Sequence, residues 1–449
     1  MRLGFVLDQE SCIGCHACTV ACKQENDVPL GAFRTWVKWI EHGEFPDTKR
    51  AAAVLRCNHC ADAPCVTICP TVALHKRPDG IVDLDAARCI GCASCLQACP
   101  YDAIYIDDRA GTAAKCHFCA HRMEVDLAPA CVAVCPEQAI WVVDFDDPAT
   151  REELDRRRAA PRKPERATRP QTFYLGADPA ALDPLAVDGA RTLSHAEVPD
   201  PMPAPGTSEA RAVYDVPRRR MWGWRIAAYL VTKAGASGAL LAAALGLGDP
   251  RALGAASLVL LAATGALLVA DLHKPGRFLF LLTKGNPRSW LVRGSYVLLA
   301  HGALSVPYLF GAASLPLSVA AGAVALLTSV YTAFLFRQAR GRELWCEDRL
   351  LPFQLGLQAA AAACAFGWVW GNWSFSVMAA HAAFLLLGAT TAPPTRHARR
   401  AHALLLKHPA FAPGLVAAAA AVAFPPVVLV AFALLDWALV RAGQEVPLS

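Results

Sequence analysis

Sixteen of the chain's 18 cysteines fall between Cys12 and Cys135, in four groups of four. The groups are Cys12-x-x-Cys15-x-x-Cys18-x-x-x-Cys22, Cys57-x-x-Cys60-x4-Cys65-x-x-x-Cys69, Cys89-x-x-Cys92-x-x-Cys95-x-x-x-Cys99 and Cys116-x-x-Cys119-x11-Cys131-x-x-x-Cys135. Proline follows the last cysteine in three of them, at Pro70, Pro100 and Pro136; Lys23 takes that place in the first. Disulfide scaffolds are normally small secreted domains of oxidising compartments, and this spacing is too regular for one. The opening residues, MRLGFVLDQESC, hold no apolar core of a secretory signal.

The third group has the spacing of a bacterial [4Fe–4S] run, in which the fourth cysteine of a two-cluster protein serves the other cluster. Three thiolates on a tight loop can reach three iron corners. The fourth comes from the start of the next segment, and proline directs the chain away. Sixteen thiolates make four [4Fe–4S] clusters with none left over. Zinc is the competing reading of Cys-x-x-Cys pairs, but it does not account for the repeated third and fourth cysteines with proline. With the thiolate count complete, His16, His59, His117 and His121 are expected to hydrogen-bond sulfur or face solvent.

The chain is 449 residues long, 55% hydrophobic and 18% charged. Its mean hydropathy of +0.32 points to a membrane-embedded part. The net charge of +5 is spread over the whole length and does not single out nucleic acid. Three parts follow. Residues 1–147 hold the cysteine groups. Residues 148–221 are rich in proline and charge and read as mostly extended linker, with one docking segment at 172–186. Residues 222–449 are dominated by Ala, Leu and Val, and spans of about 20 residues are expected near 223–247, 252–272, 290–310, 314–336, 351–371, 374–392 and 411–440. The last contains Pro425 and Pro426, so it is either one kinked helix or two short ones. The expected fold is an α+β tandem ferredoxin-like domain followed by an all-α polytopic transmembrane bundle of about seven spans.

The four-group pattern resembles the iron–sulfur subunit of the molybdopterin oxidoreductase family, which includes dimethyl sulfoxide, polysulfide and tetrathionate reductases. The likeness runs over residues 1–186, to the closing FYLGADPAALDP. It implies that one cluster takes Cys12, Cys15, Cys18 and Cys135 and a second Cys116, Cys119, Cys131 and Cys22. A third would take Cys57, Cys60, Cys65 and Cys99, and the fourth Cys89, Cys92, Cys95 and Cys69. The segments DLHKPGRFLFLLTKGNPRSWLVRGSY (271–296), VYTAFLF (330–336) and RQARGRELW (337–345) resemble the NrfD-like quinone-reactive subunit of polysulfide reductase. That family usually has eight spans. The two resemblances together imply clusters and quinone chemistry on one chain, with a molybdenum or tungsten pterin subunit as a separate catalytic partner.

Ionisable groups inside spans are costly and are functional suspects by default. Lys233, Asp271, His301 and Tyr331 are the expected quinone and proton site, with Asp271 the first choice of proton acceptor. Alternating span direction puts Lys233, Asp271 and Tyr331 in the membrane half nearer the N-terminal domain. Arg277, Asn286 and Arg288 come from the loop on that face. The competing reading pairs Asp271 with Lys274 or Arg277 at the interface and makes Tyr331 an aromatic belt residue. His381 is expected in a helix–helix hydrogen bond. No histidine pair at suitable spacing suggests haem, so none is expected.

The loops on the N-terminal face carry a basic excess, with Arg218, Arg219, Arg220, Arg225, Arg396, Arg399, Arg400 and Lys407 outside the family-like motifs; Arg251 and Arg441 lie opposite. The positive-inside rule then puts the iron–sulfur domain in the cytoplasm of an inner-membrane protein, the periplasmic face being the alternative. The expected role is to relay electrons between ubiquinone or menaquinone and the pterin subunit, as part of an enzyme. The alternatives are service to a hydrogenase or nitrite reductase, or redox-driven proton translocation, for which Asp436 is the only obvious ionisable residue in the far half of the bundle.

Overall fold

The computed structural model describes residues 1–43, 46–187, 210–216 and 220–448. Arg218 and Arg219 of the expected basic face, and 188–209 of the expected linker, lie outside the described residues. Two compact units are present: Met1–Arg219 with Pro447–Ser449, and Arg220–Val446.

In the first unit the strand Leu3–Asp8 is buried along its whole length. It pairs antiparallel with Ile140–Asp144 and parallel with Thr172–Leu175. Ala160–Pro161 completes a four-stranded sheet. A second sheet sets Thr35–His42 between Ala210–Tyr214 and Lys49–Arg56. Two hairpins, Leu74–Lys76 with Val82–Leu84 and Ile104–Asp107 with Thr112–Lys115, complete the strands. The helices between them are short because each is bounded by a cysteine loop: Pro64–Ile68, Ser94–Ala98 and Ala130–Ala133.

The linker expected from residue 148 is folded as far as residue 187. Asp147 caps the helix Pro148–Arg156 by accepting from the backbone N–H groups of Ala149 and Thr150, with proline in the first turn. Both are helix-start signals. Leu154 then packs with Val6, Phe145 and Leu175, so one apolar residue anchors an otherwise charged helix. A composition dominated by proline and charge hid this, because a strand of four residues at Thr172–Leu175 fills the centre of the sheet.

The second unit is helical. Among the described residues, four helices are long and apolar enough to cross a membrane: Trp224–Ala244, Pro250–Ala270, Leu315–Gln338 and Pro425–Glu445. A fifth span exists if Arg396–Lys407 and Phe411–Ala420, bent by 67°, act as one. Trp290–Leu309, Leu351–Gly367 and Phe375–Thr390 are helices at three further expected spans but are shorter or less apolar. The stretch expected at 411–440 is two helices, Phe411–Ala420 and Val428–Glu445, parted at Pro425–Val427. Pro425 and Pro426 supply no N–H to the helix ladder there.

Trp224–Ala244 is the hub of this unit and packs against four neighbours: Pro250–Ala270, Leu315–Gln338, Leu351–Gly367 and Val428–Glu445. Small residues permit the approach. A Cβ on Gly238 would lie 2.3 Å from Ala362 Cβ and 2.8 Å from the Ala363 backbone nitrogen, the close contact that small residues allow between membrane helices.

Candidate cluster and membrane sites

The cysteine loops share one backbone device. The third residue of the first Cys-x-x-Cys unit in each group has positive φ: Gly14 at 66°, His59 at 42°, Gly91 at 68° and Phe118 at 66°. Glycine adopts this region freely. A bulky residue there is strained, so His59 and Phe118 need compensation. They have it: both are fully buried, their rings meet edge-on at 5.2 Å, and Phe118 stacks on Phe5 at 4.1 Å. The three Cys-Pro groups share a second turn, with Val72, Asp102 and Gln138 at positive φ. Backbone N–H groups close on the sulfur there, Leu74 to Cys69 at 3.4 Å and Ala139 to Cys135 at 3.2 Å. Where Lys23 replaces proline the chain continues as the helix Ala17–Glu25, and Lys23 Nζ donates to the carbonyls of Pro29 and Ala32.

The sulfurs gather across the groups. One cavity is lined by Cys12, Cys15, Cys18 and Cys135. A second is lined by Cys22, Cys116, Cys119 and Cys131. Cys65 has Cys99, Cys57 and Cys60 as its sulfur neighbours. Cys95 has Cys92, Cys69 and Cys89 as its nearest. Thus the first group interleaves with the fourth, and the second with the third. Among the described residues no three His, Cys, Asp or Glu side chains are placed to hold a single ion. Four sulfurs around a cavity, as in the first two sets, fit a multi-iron core.

Burial pushes the Cys60 thiol up to about 12 and those of Cys18, Cys99 and Cys116 up to about 11. Without a metal against them these sulfurs keep their protons at neutral pH, so loading a metal core must release protons. A thiolate-only donor set suits iron–sulfur clusters, and the residues present fit them. The four histidines bond elsewhere. His16 Nε2 accepts from Trp39 Nε1 at 3.3 Å, His59 Nδ1 from Val82 N at 3.2 Å and His117 Nδ1 from Cys119 N at 3.1 Å. His121 Nε2 lies 2.7 Å from Glu25 Oε1. None of these bonds goes to sulfur, contrary to one of the expected roles.

Two residues near sulfur escaped the sequence reading. Asn26 Nδ2 lies 3.7 Å from Cys22 Sγ and 3.9 Å from Cys119 Sγ. Its position four residues after Cys22, one helical turn on, was the available signal. Arg56, the last residue of its strand, lines the cavity of Cys22, Cys116, Cys119 and Cys131.

In the helical unit two expected residues meet. Lys233 Nζ donates to Ser329 O at 2.8 Å and Thr332 Oγ1 at 2.5 Å, and it sits 5.0 Å from the Tyr331 ring centroid. Tyr229 OH lies 3.1 Å from Tyr331 OH and 2.7 Å from Thr332 Oγ1. Tyr229 was legible, since it precedes Lys233 by one helical turn. His301 belongs to another cluster: its Nε2 is 2.9 Å from Ser257 Oγ and its Nδ1 3.0 Å from Thr328 Oγ1. Asp271 ends the Pro250–Ala270 helix, half-buried, with Arg225 and His273 as the charges nearest it. It is therefore not brought into the Lys233 network.

Asn286 Oδ1 accepts from the Arg288 backbone N–H at 3.0 Å, and Arg288 O accepts from Gln338 Nε2 at 2.7 Å. In these contacts both residues shape the loop entering the Trp290–Leu309 helix. Arg277 ends a short turn, Pro275–Arg277. Asp436 is buried, with Oδ1 accepting from Gln358 Nε2 at 3.1 Å and Lys233 as a charge partner. The helix–helix hydrogen bond expected of His381 is not made. Its two ring nitrogens have no hydrogen-bond partner among the described residues, and the ring packs on Phe432 at 5.4 Å.

Comparison with known proteins gives matches of the same kind. Residues 51–145 match a 4Fe-4S dicluster domain and residues 3–24 a 4Fe-4S binding domain. A tetrathionate reductase subunit of Salmonella typhimurium is 45% identical over 190 residues, 41% of this chain and 76% of that protein. The arsenate respiratory reductase iron-sulfur subunit ArrB of Shewanella sp. is 34% identical over 230 residues, 39% of this chain and 96% of that protein. A polypeptide of the polysulfide reductase of Wolinella succinogenes is 38% identical over 154 residues, 33% of this chain and 80% of that protein.

Proposed function

Because the chain belongs to the family of iron–sulfur subunits of tetrathionate, arsenate and polysulfide reductases, we propose that it carries electrons between a membrane quinone and a separate molybdopterin subunit. The observation that carries this reading is the grouping of sixteen cysteines into four sets of four on one unit. Each set holds one [4Fe–4S] cluster, which when bound takes up and releases one electron at a time. The ligands are Cys12, Cys15, Cys18 and Cys135; Cys22, Cys116, Cys119 and Cys131; Cys57, Cys60, Cys65 and Cys99; and Cys69, Cys89, Cys92 and Cys95.

In this reading the helical unit spans the membrane about seven times, its last stretch parted at Pro425–Val427, and supplies the quinone site. A quinol releases two protons with its two electrons, so its oxidation needs acceptors. Lys233, with Tyr229, Tyr331 and Thr332 around it, orients the quinone oxygen. Asp271 takes the proton at the end of its helix, and His301 holds a second polar point through Ser257 and Thr328. Arg277, Asn286 and Arg288 form the loop beside the entrance. The resemblance of residues 271–345 to NrfD-like subunits supports the quinone assignment. The iron–sulfur unit faces the cytoplasm of an inner-membrane protein, on the basic excess of its loops.

Redox-driven proton translocation is a second reading, favoured by the buried Asp436 beside Gln358 and the Lys233 charge. Metal analysis of the purified complex tests the first reading. It predicts about sixteen iron per chain at four per cluster, with molybdenum or tungsten only in a co-purifying partner. Iron near eight with no such partner would refute it.

A further inference from the structure

Arg56 is 1% exposed and lies at the end of the strand Lys49–Arg56. Its Nη2 donates to Thr35 Oγ1 at 3.1 Å, while Nε and Nη1 have no hydrogen-bond partner among the described residues. The guanidinium carbon lies 4.2 Å from the Phe5 ring centroid. That ring itself stacks on Phe118, so one face of the cation is sealed by apolar carbon. The adjoining cavity is lined by Cys22, Cys116, Cys119 and Cys131 with Asn26 and Arg34, and no carboxylate is among its described lining residues. Cys131 and Cys116 of this set are the first charge partners of Arg56, ahead of Cys18 of the neighbouring set.

A buried charge removed from water is costly unless something opposes it, and arginine cannot shed its proton in a protein. A sheet anchor would be met as well by an apolar side chain of similar length. What an apolar side chain would not supply is a fixed positive charge against sulfur. We propose that Arg56 is a potential-setting residue, whose charge raises the reduction potential of the cluster held by Cys22, Cys116, Cys119 and Cys131.

The proposal rests on the reading that this set holds a [4Fe–4S] cluster. Reduction adds one electron to a core that four thiolates already make anionic. No bond forms or breaks. The added negative charge is stabilised by a cation that cannot move away, in a medium too apolar to screen it. Potentials of such clusters respond to net charge, hydrogen bonds to sulfur and exposure, and Arg56 changes the first without altering the ligands. The set of Cys69, Cys89, Cys92 and Cys95 is served differently: backbone N–H groups of Leu74 and Ala113 reach Cys69 and Cys89 at 3.4 Å. The cluster beside Arg56 therefore titrates above the one at that set.

The test is a dithionite redox titration of the full-length holoprotein followed by electron paramagnetic resonance, with iron counted on the same samples. Arg56→Gln is expected to keep its iron and to lower one midpoint, by at least a tenfold change in the reduced-to-oxidised ratio, about 59 mV for one electron. Arg56→Lys restores most of that shift. Unchanged midpoints at full iron content overturn the proposal and leave the four-cluster reading standing. A wild type with too little iron, or without cluster signals, refutes that reading instead. Should Arg56→Gln lose iron, the order of titration decides. The signal lost in Cys119→Ser must lie above the signal lost in Cys92→Ser, and the reverse order overturns the proposal.

Discussion

In the cysteine-rich unit the buried Arg56 keeps two nitrogens without a hydrogen-bond partner among the described residues and lines a cavity with four cysteines. In the helical unit the buried Lys233 is bonded to Ser329 and Thr332, and the hydroxyls of Tyr229, Tyr331 and Thr332 bond one another. The first arrangement is incomplete as protein, and in the proposed reading an anionic inorganic core would complete it. The second is largely closed on itself, because lipid offers no water to satisfy a stray polar group. The same contrast appears in the backbone. The cysteine loops hold His59 and Phe118 at positive φ, whereas the helical hub achieves close contact with alanine and glycine in regular helix. A unit built around a cofactor tolerates local strain; a unit built around helix contacts depends on small side chains.

The largest effect expected from this contrast is on cluster content. Cys116→Ser should remove one cluster, taking iron from about sixteen to about twelve per chain. Retention of all sixteen would break the assignment of one cluster per set. Next comes packing in the helical hub. Gly238→Leu drives a side chain into Ala362 and the Ala363 backbone. It should cost about 3 kcal/mol or more, read as a lowered melting temperature in detergent with the iron spectrum intact until unfolding.

A smaller effect separates structure from electron exchange. Lys233→Met should slow quinone-dependent oxidation of the clusters about tenfold, roughly 1.4 kcal/mol on the barrier, while iron content stays the same. A parallel loss of iron would mean that the two units are not separable in this way. The smallest effect is expected at the exposed pair Arg169–Asp62. Solvent and salt screen such pairs, so Arg169→Ala should leave the melting temperature and all midpoints unchanged at physiological salt.

The sequence made the cysteine unit legible because ligand chemistry imposes spacing. Cysteine positions, the glycine turns at Gly14 and Gly91 and the Cys-Pro turns all follow from it. What spacing could not reveal was the environment between sets. Arg56 meets the sulfurs, and Asn26 meets Cys119, only after strand and helix bring distant groups together. The folded segment at 148–187 escaped because four central strand residues and one leucine outweigh a proline-rich, charged composition. In the helical unit periodicity located the helices but not their partners. Lys233 and Tyr331 meet, whereas Asp271 and His301 sit elsewhere, because which faces of apolar helices meet depends on small-residue packing spread over several neighbours. Asp436, expected in the far half of the bundle, is buried against Gln358 with Lys233 as a charge partner.

The most direct test of the account follows electrons between its two halves. Anaerobic holoprotein in detergent is reduced with dithionite, freed of excess reductant and mixed with a short-chain quinone, while cluster absorbance and quinol are measured together. The account predicts that the clusters reoxidise and that one quinol appears for every two cluster electrons lost. Clusters that ferricyanide oxidises at once but the quinone leaves reduced would contradict it.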